Sequence, residues 1–575
     1  MNPPRQLVLL CDGTNNNLSG RHSDTHVVLL AELLRLYPAP NRLVYYDPGV
    51  GNPGQLPGTT FADKARRALD RVDGLAFGRG LYDNVAEGYQ FLMTHWEPGD
   101  EIFIFGFSRG AFTARSIAGL VNAFGVIESQ QDTLVSSLVA TYFSRQSPER
   151  KAIAEQAARL FGQGSRPAEW PAVHFVGVWD TVASVGLPPF GLKITAKPDL
   201  AGKHFRHVRQ ALALDEQRAQ FLPRAYAQND GAFSMANQQP GDIKQCWFRG
   251  SHCDVGGGNV YPYSEMSRAP FAWLVAEALQ CGLRMPAPPG QPPIVSEADV
   301  FHVMPQLDPP TPARLAARIN SETYVTPLWA LTGLKVRDTA HALVDGEPPV
   351  PVKMQAHPTV ALWTHAFPEA TAWSERRGPG AWAKLLLALA VMAALVLLMG
   401  WALLEPRGLL PSTERLREIL DANLGFQAWE LSLASMGEWA QQTTHFARPG
   451  HALFLDTALV AAYAWVLSFW VCRAFARHAN LINVGMTPPS WLNHAGWALP
   501  IAVGADLVEN AAAWVSLMAI DGGSAEWWAW GPRAVLFCAS AAKWAALASV
   551  AGLILSSLLR RRRRLQPSMV TITGA

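Results

Sequence analysis

Glu101-Ile102-Phe103-Ile104-Phe105-Gly106-Phe107-Ser108-Arg109-Gly110-Ala111-Phe112-Thr113-Ala114 reads in three parts: an apolar run, a G-x-S-x-G turn, and a stretch compatible with a helix that continues as Arg115-Ser116-Ile117-Ala118. A strand that feeds such a turn and opens a helix is the nucleophile-elbow arrangement, in which a strained backbone holds the serine oxygen exposed. Gly106 and Gly110 are needed because side chains there would collide with the neighbouring strand and helix. The five-residue pattern alone occurs by chance in chains of this length, so the strand before it and the helix after it carry the inference.

Outward from the elbow, further apolar runs end in polar or glycine residues. The run 7–10 leads to Cys11-Asp12-Gly13-Thr14, 42–46 to Asp47-Pro48-Gly49, 173–179 to Asp180-Thr181, and 244–248 to Arg249-Gly250-Ser251-His252. Strands buried on both faces read this way, which predicts an α/β-hydrolase-like, doubly wound, mostly parallel sheet with functional groups at the carboxyl ends of its strands.

A serine hydroxyl is a poor nucleophile until a base takes its proton, and the base needs a third group to orient it. In α/β-hydrolases the chain order is serine, acid, histidine. Ser108, Asp180 and His252 occur in that order, each at a predicted strand end, and Gly256-Gly257-Gly258 lets the backbone turn closely after the histidine. The expected oxyanion donors are the backbone N–H of Arg109 and that of Gly13 or Thr14. Asp12 is expected to order that early loop through backbone hydrogen bonds. Asp254 is close enough in sequence to compete with Asp180, but a carboxylate on the histidine's own segment would have to fold back, so Asp254 is expected to tie down the glycine loop instead. Asp215, Glu216 and Arg218 fit a helix-surface ion pair equally well, and Asn15 to Asn17 read as turn residues. This chemistry calls for no cofactor and no metal. The six cysteines, Cys11, Cys246, Cys253, Cys281, Cys472 and Cys538, show no C-x-x-C spacing and predict neither a disulfide framework nor a zinc site.

At these residues the chain resembles the domain of unknown function 2235 family, an α/β-hydrolase group whose best understood members are the first class of type VI secretion phospholipase effectors. The resemblance rests on L-L-C-D-G-T-N-N at 9–16, G-F-S-R-G-A-F-T-A-R at 106–115, G-V-W-D-T-V at 177–182, A-L-A-L-D-E-Q-R at 211–218 and G-S-H-C-D-V-G-G-G at 250–258. It implies a triad of Ser108, Asp180 and His252 and the hydrolysis of lipid esters.

Composition changes near Gly378-Pro379-Gly380, which predicts a catalytic domain over 1–375 and a membrane region over 376–575. Four stretches there, 384–404, 452–472, 497–520 and 534–559, have the roughly 20-residue length of a bilayer span. Arg376, Arg377 and Lys384 precede the first, Arg473 and Arg477 follow the second, and five arginines at 560–564 follow the fourth. Glu405, Asp521 and Glu526 fall on the other side. By the positive-inside rule both termini are cytoplasmic and the loop 405–451, to which the sequence assigns no role, lies outside. The early run 7–10 is too short for a signal-peptide core, so the catalytic part is expected on the cytoplasmic side of a bacterial inner membrane. Asp506, Glu509 and Asn510 in the third span and Lys543 in the fourth are costly against lipid, and their depths predict a Glu509–Lys543 contact. A net charge of +2 with 16% charged residues gives no pull toward nucleic acid.

Together these readings predict a membrane-anchored serine hydrolase acting on a phospholipid or another ester. A secreted type VI phospholipase toxin, and a non-enzymatic membrane protein on a hydrolase-fold scaffold, are the alternatives.

Overall fold

The computed structural model describes residues 3–13, 24–49, 74–143, 148–163, 173–182, 184–185, 192–193, 200, 203–235, 239–258, 265–303, 327–344, 348–360, 386–387, 389–398, 449–479, 484–521 and 530–559. The chain divides into two compact units. One comprises Met1–Ser321, Arg337–Pro368 and Ile482–Thr487, the other Glu322–Val336, Glu369–Leu481 and Pro488–Ala575.

The first unit is built on one sheet of β1 (Gln6–Cys11), β2 (Arg42–Asp47), β3 (Glu101–Phe107), β4 (Val173–Trp179), β5 (Phe205–Ala213), β6 (Gly231–Ser234), β7 (Pro240–Phe248) and β8 (Gln355–Ala356). The order is β8-β7-β5-β4-β3-β1-β2, parallel throughout, with β6 added antiparallel to β7. The two-residue period of a strand sends alternate side chains to opposite faces. Leu7, Leu9, Ile102 and Ile104 pack with Val85 and Tyr89 of α2 (Gly74–His95) and Ile117 and Val121 of α3 (Ser108–Phe124). Val8, Leu10, Phe103 and Phe105 pack on the other side with Leu30 of α1 (His26–Leu36) and with Phe271 and Leu274 of α5 (Arg268–Gln280), which follows the short α4 (His252–Gly256). All of these core side chains are buried, each contributing about 1.5–3 kcal/mol relative to exposure.

Two strands depart from the expected pattern. β2 is the edge strand, and Leu43 and Val44 there are 38% and 43% exposed rather than buried on both faces. β5 enters the centre of the sheet without a predictive apolar run because two polar residues inside it are buried and paired. Arg209 bonds Glu277 at 2.6 Å, and Gln210 accepts from Thr181 Oγ1 at 2.7 Å.

Among the described residues of the second unit, three helices are long and apolar enough to cross a membrane: Leu453–Ala479, Ser490–Val515 and Ala534–Leu559. They lie largely in α6 (Pro449–Ala479), α7 (Ala498–Asp521) and α8 (Trp530–Leu559), and correspond to the second, third and fourth expected spans. Of the expected first span, the described residues 386–387 and 389–398 are helical and the rest lie outside the description, as do 405–448 of the loop. The expected contact is present and is part of a larger polar cluster. Lys543 Nζ is 2.5 Å from Glu509 Oε2 and 3.3 Å from Asp506 Oδ1. Tyr463 donates to Asp506 at 2.6 Å, and Asn510 to Asp456 at 2.9 Å.

Candidate active site

Ser108 is the first residue of α3, directly after β3, with φ at 58°. That left-handed conformation costs a non-glycine residue about 1–2 kcal/mol and aims the side chain out of the turn. The flanking glycines make it sterically possible. A Cβ on Gly106 would strike the backbone of Gly110 and Ala111, and one on Gly110 the backbone of Cys11 and Asp12 at the end of β1. Asp180, directly after β4, also has positive φ, at 42°. His252 opens α4, which is held by a capping box between Ser251 and Asp254.

These strand ends bring three side chains into line. Ser108 Oγ is 2.7 Å from His252 Nε2, and His252 Nδ1 is 2.6 Å from Asp180 Oδ2. All three residues are buried, and the rings of Phe107 and Phe221 lie 4.7 and 5.0 Å from the imidazole. Asp254 turns away from the ring: its Oδ2 accepts from the N–H of Ser251 at 2.7 Å and from Ser251 Oγ at 2.8 Å. Through these bonds it fixes the start of α4.

The Asp180 carboxylate also accepts from Ala213 N–H at 3.0 Å and from Arg337, whose Nη2 is 2.8 Å from Oδ2 and whose Nη1 is 2.5 Å from Oδ1. Burial pushes the Asp180 carboxyl up, but the Arg337 guanidinium and the His252 bond outweigh it and hold the group below the ordinary carboxylate value. Arg337 escapes sequence reading because Leu334-Lys335-Val336-Arg337-Asp338 matches no motif. Glu216 and Arg218 are not on a helix surface. Both are buried, paired at 2.8 Å, and Glu216 Oε2 accepts the backbone N–H of His252 at 3.1 Å. Burial alone would raise Glu216, yet Arg218 brings it down to about 2.

Gly13 N–H donates to Asp12 Oδ1 at 2.7 Å, a backbone bond of the kind expected of Asp12, and Thr14 lies outside the described residues. Asp12 acts through side chains as well, with Oδ2 accepting from Thr25 Oγ1 at 2.8 Å and Tyr46 OH at 3.0 Å. Burial nevertheless pushes its carboxyl up to about 6. Among the described residues no group of three or more His, Cys, Asp and Glu side chains is placed to hold a metal ion.

Residues 5–277 match the family described as T6SS, phospholipase effector Tle1-like, catalytic domain. This segment, just under half of the chain, resembles that family. The Tle1-like segment contains Ser108, Asp180 and His252, and its description supports a lipase- or esterase-type reaction; Arg337 lies beyond it. An uncharacterized protein of Saccharomyces cerevisiae is 31% identical over 229 residues, 38% of this chain and 32% of that protein. The chain thus spans about a third of the length of the yeast relative. A crystal structure of an uncharacterized protein from Pseudomonas aeruginosa aligns with 82% of this chain and 67% of its own at 16% identity and a TM-score of 0.31, too low to carry a structural argument.

Proposed function

We propose that the Tle1-like domain is a serine hydrolase that cleaves the carboxylic ester of a phospholipid or other acyl lipid, and that the apolar helices anchor it in a membrane. The observation that carries this reading is the unbroken line from Ser108 Oγ through His252 to Asp180, at 2.7 and 2.6 Å, on a serine with positive φ. In this mechanism Ser108 attacks the ester carbonyl while His252 Nε2 takes its proton, and Asp180 holds the Nδ1–H and stabilises the imidazolium. The proton then passes to the leaving alkoxide, and water activated by the same imidazole releases the acid from Ser108. The Arg109 backbone N–H serves as one oxyanion donor.

We assign catalysis to residues 1–375 and anchoring to 376–575, with both termini cytoplasmic, on the basis of the one-sided arginines at 473, 477 and 560–564. Lipid profiling of cells expressing wild type or Ser108→Ala tests the reaction. A phospholipid species depleted, with its lysolipid or free acid raised, only by wild type supports it, and identical profiles contradict it. The family's description as secretion effectors favours a second reading, export as a toxin. Recovery of the full chain from culture medium rather than from the membrane fraction would decide for that reading.

A further inference from the structure

Arg337 lies outside the segment that carries the family likeness, yet its side chain is 1% exposed and sits against Asp180. It donates to both Asp180 oxygens, to Ala213 O at 2.8 Å and to Phe221 O at 2.6 Å. A guanidinium is a planar fork, and paired to a carboxylate through two parallel N–H···O bonds it fixes the plane of that carboxylate as well as its charge. With Oδ1 held by Arg337 and the Ala213 amide, Oδ2 is left facing His252 Nδ1. A triad acid has to present one oxygen to the imidazole, but nothing in triad chemistry demands a guanidinium behind it.

Resting on the reading of Ser108, His252 and Asp180 as a triad, we propose that Arg337 is a positioning residue that fixes the plane of the Asp180 carboxylate and keeps it ionised under acidic conditions. Asp180 is wholly buried, and a buried carboxylate without a charged partner takes up a proton rather than remain an anion. The direction of the Asp180 shift agrees, since Arg337 is the largest influence opposing burial. Among the described residues, the charged groups that also face His252 include Glu216, on its backbone N–H, and Arg218 paired to it. Arg218 is the chief counter-charge of Glu216, with Arg337 a lesser influence on it, and Arg337 is the chief counter-charge of Asp180. A protonated Asp180 no longer holds His252 in the tautomer that accepts the Ser108 proton, so the site would fail as the pH falls.

The rate of Ser108 labelling by a fluorophosphonate probe, measured on the full chain in detergent at about pH 5 and about pH 8, reads this without a known substrate. In Arg337→Gln the ratio of the acidic to the alkaline rate is expected to fall about tenfold below the wild-type ratio. Arg337→Lys keeps the charge but not the fork, so its ratio should stay within about twofold of wild type while both rates drop about tenfold. Thermal melting establishes that each variant is folded. An unchanged ratio in folded Arg337→Gln overturns the proposal, because a merely structural role lowers both rates alike. If Arg337→Gln does not fold, Arg337→Met serves as the neutral variant: an acidic-to-alkaline ratio about tenfold below wild type supports the proposal, and an unchanged ratio overturns it. A wild-type chain labelled no better than Ser108→Ala at either pH sinks the triad reading, and this inference with it.

Discussion

Ser108 and Asp180 are the non-glycine residues with positive φ among those described, and they are the two groups bonded to the ring nitrogens of His252. Backbone strain and side-chain geometry therefore coincide at the same positions, as expected where a site is held in place by its surroundings. Asp180→Asn should leave the fold intact and reduce ester turnover by about four orders of magnitude, because the imidazole then adopts the wrong tautomer. Asp254→Asn should cost far less turnover and about 0.5–2 kcal/mol of stability, since it loosens the cap of α4. The reverse ranking in esterase assays would move the orienting acid to Asp254. Glu216 gives a pH signature. Its folded value of about 2 lies below its ordinary 4.5, so its contribution to stability is complete above about pH 4.5 and is lost as the pH falls toward 2. Urea midpoints across that window should fall less steeply in Glu216→Gln, which also starts less stable at neutral pH because Arg218 is left buried without its partner. A wild-type slope in that variant would count against the pairing. At this scale the meeting of Ser108, Asp180 and His252 was legible because the turn needs glycines at fixed offsets and each of the three follows an apolar strand run. Arg337 and the burial of Glu216 were not, because a guanidinium can approach a carboxylate from any part of the chain.

The elements were legible where burial makes a strand uniformly apolar, as in β1, β3 and β4. They were not where a buried strand carries polar side chains that find partners only in the fold, as Arg209 and Gln210 do in β5. Among the apolar helices the polar positions were informative for the opposite reason. Lys543 on α8 and Glu509 on α7 have no inexpensive place against lipid, so equal depth was enough to pair them, and they stand 2.5 Å apart. What depth could not foresee is that Asp506 shares the lysine and Tyr463 of α6 joins from a third helix. Glu509→Gln and Lys543→Met should each destabilise the protein in detergent, and the double variant should be less unstable than their sum by about 0.5–3 kcal/mol. Simple additivity would mean that the pair contributes nothing.

For the whole molecule, an α/β unit with a serine-centred site and a unit containing three membrane-length apolar helices occupy one chain. If Arg473, Arg477 and the five arginines at 560–564 mark the cytoplasmic side as proposed, reporter fusions at residue 1 and residue 575 should both report from the cytoplasm, and an external signal from either would refute that orientation. The central claim, that the site around Ser108 hydrolyses lipid esters, is tested most directly by presenting the purified full-length protein with phospholipid vesicles and measuring the fatty acid released. Wild type should release it, and Ser108→Ala, equally folded, should do so slower by about three orders of magnitude or more. Equal release by the two proteins, or none from wild type across a panel of phospholipid classes, would contradict the account.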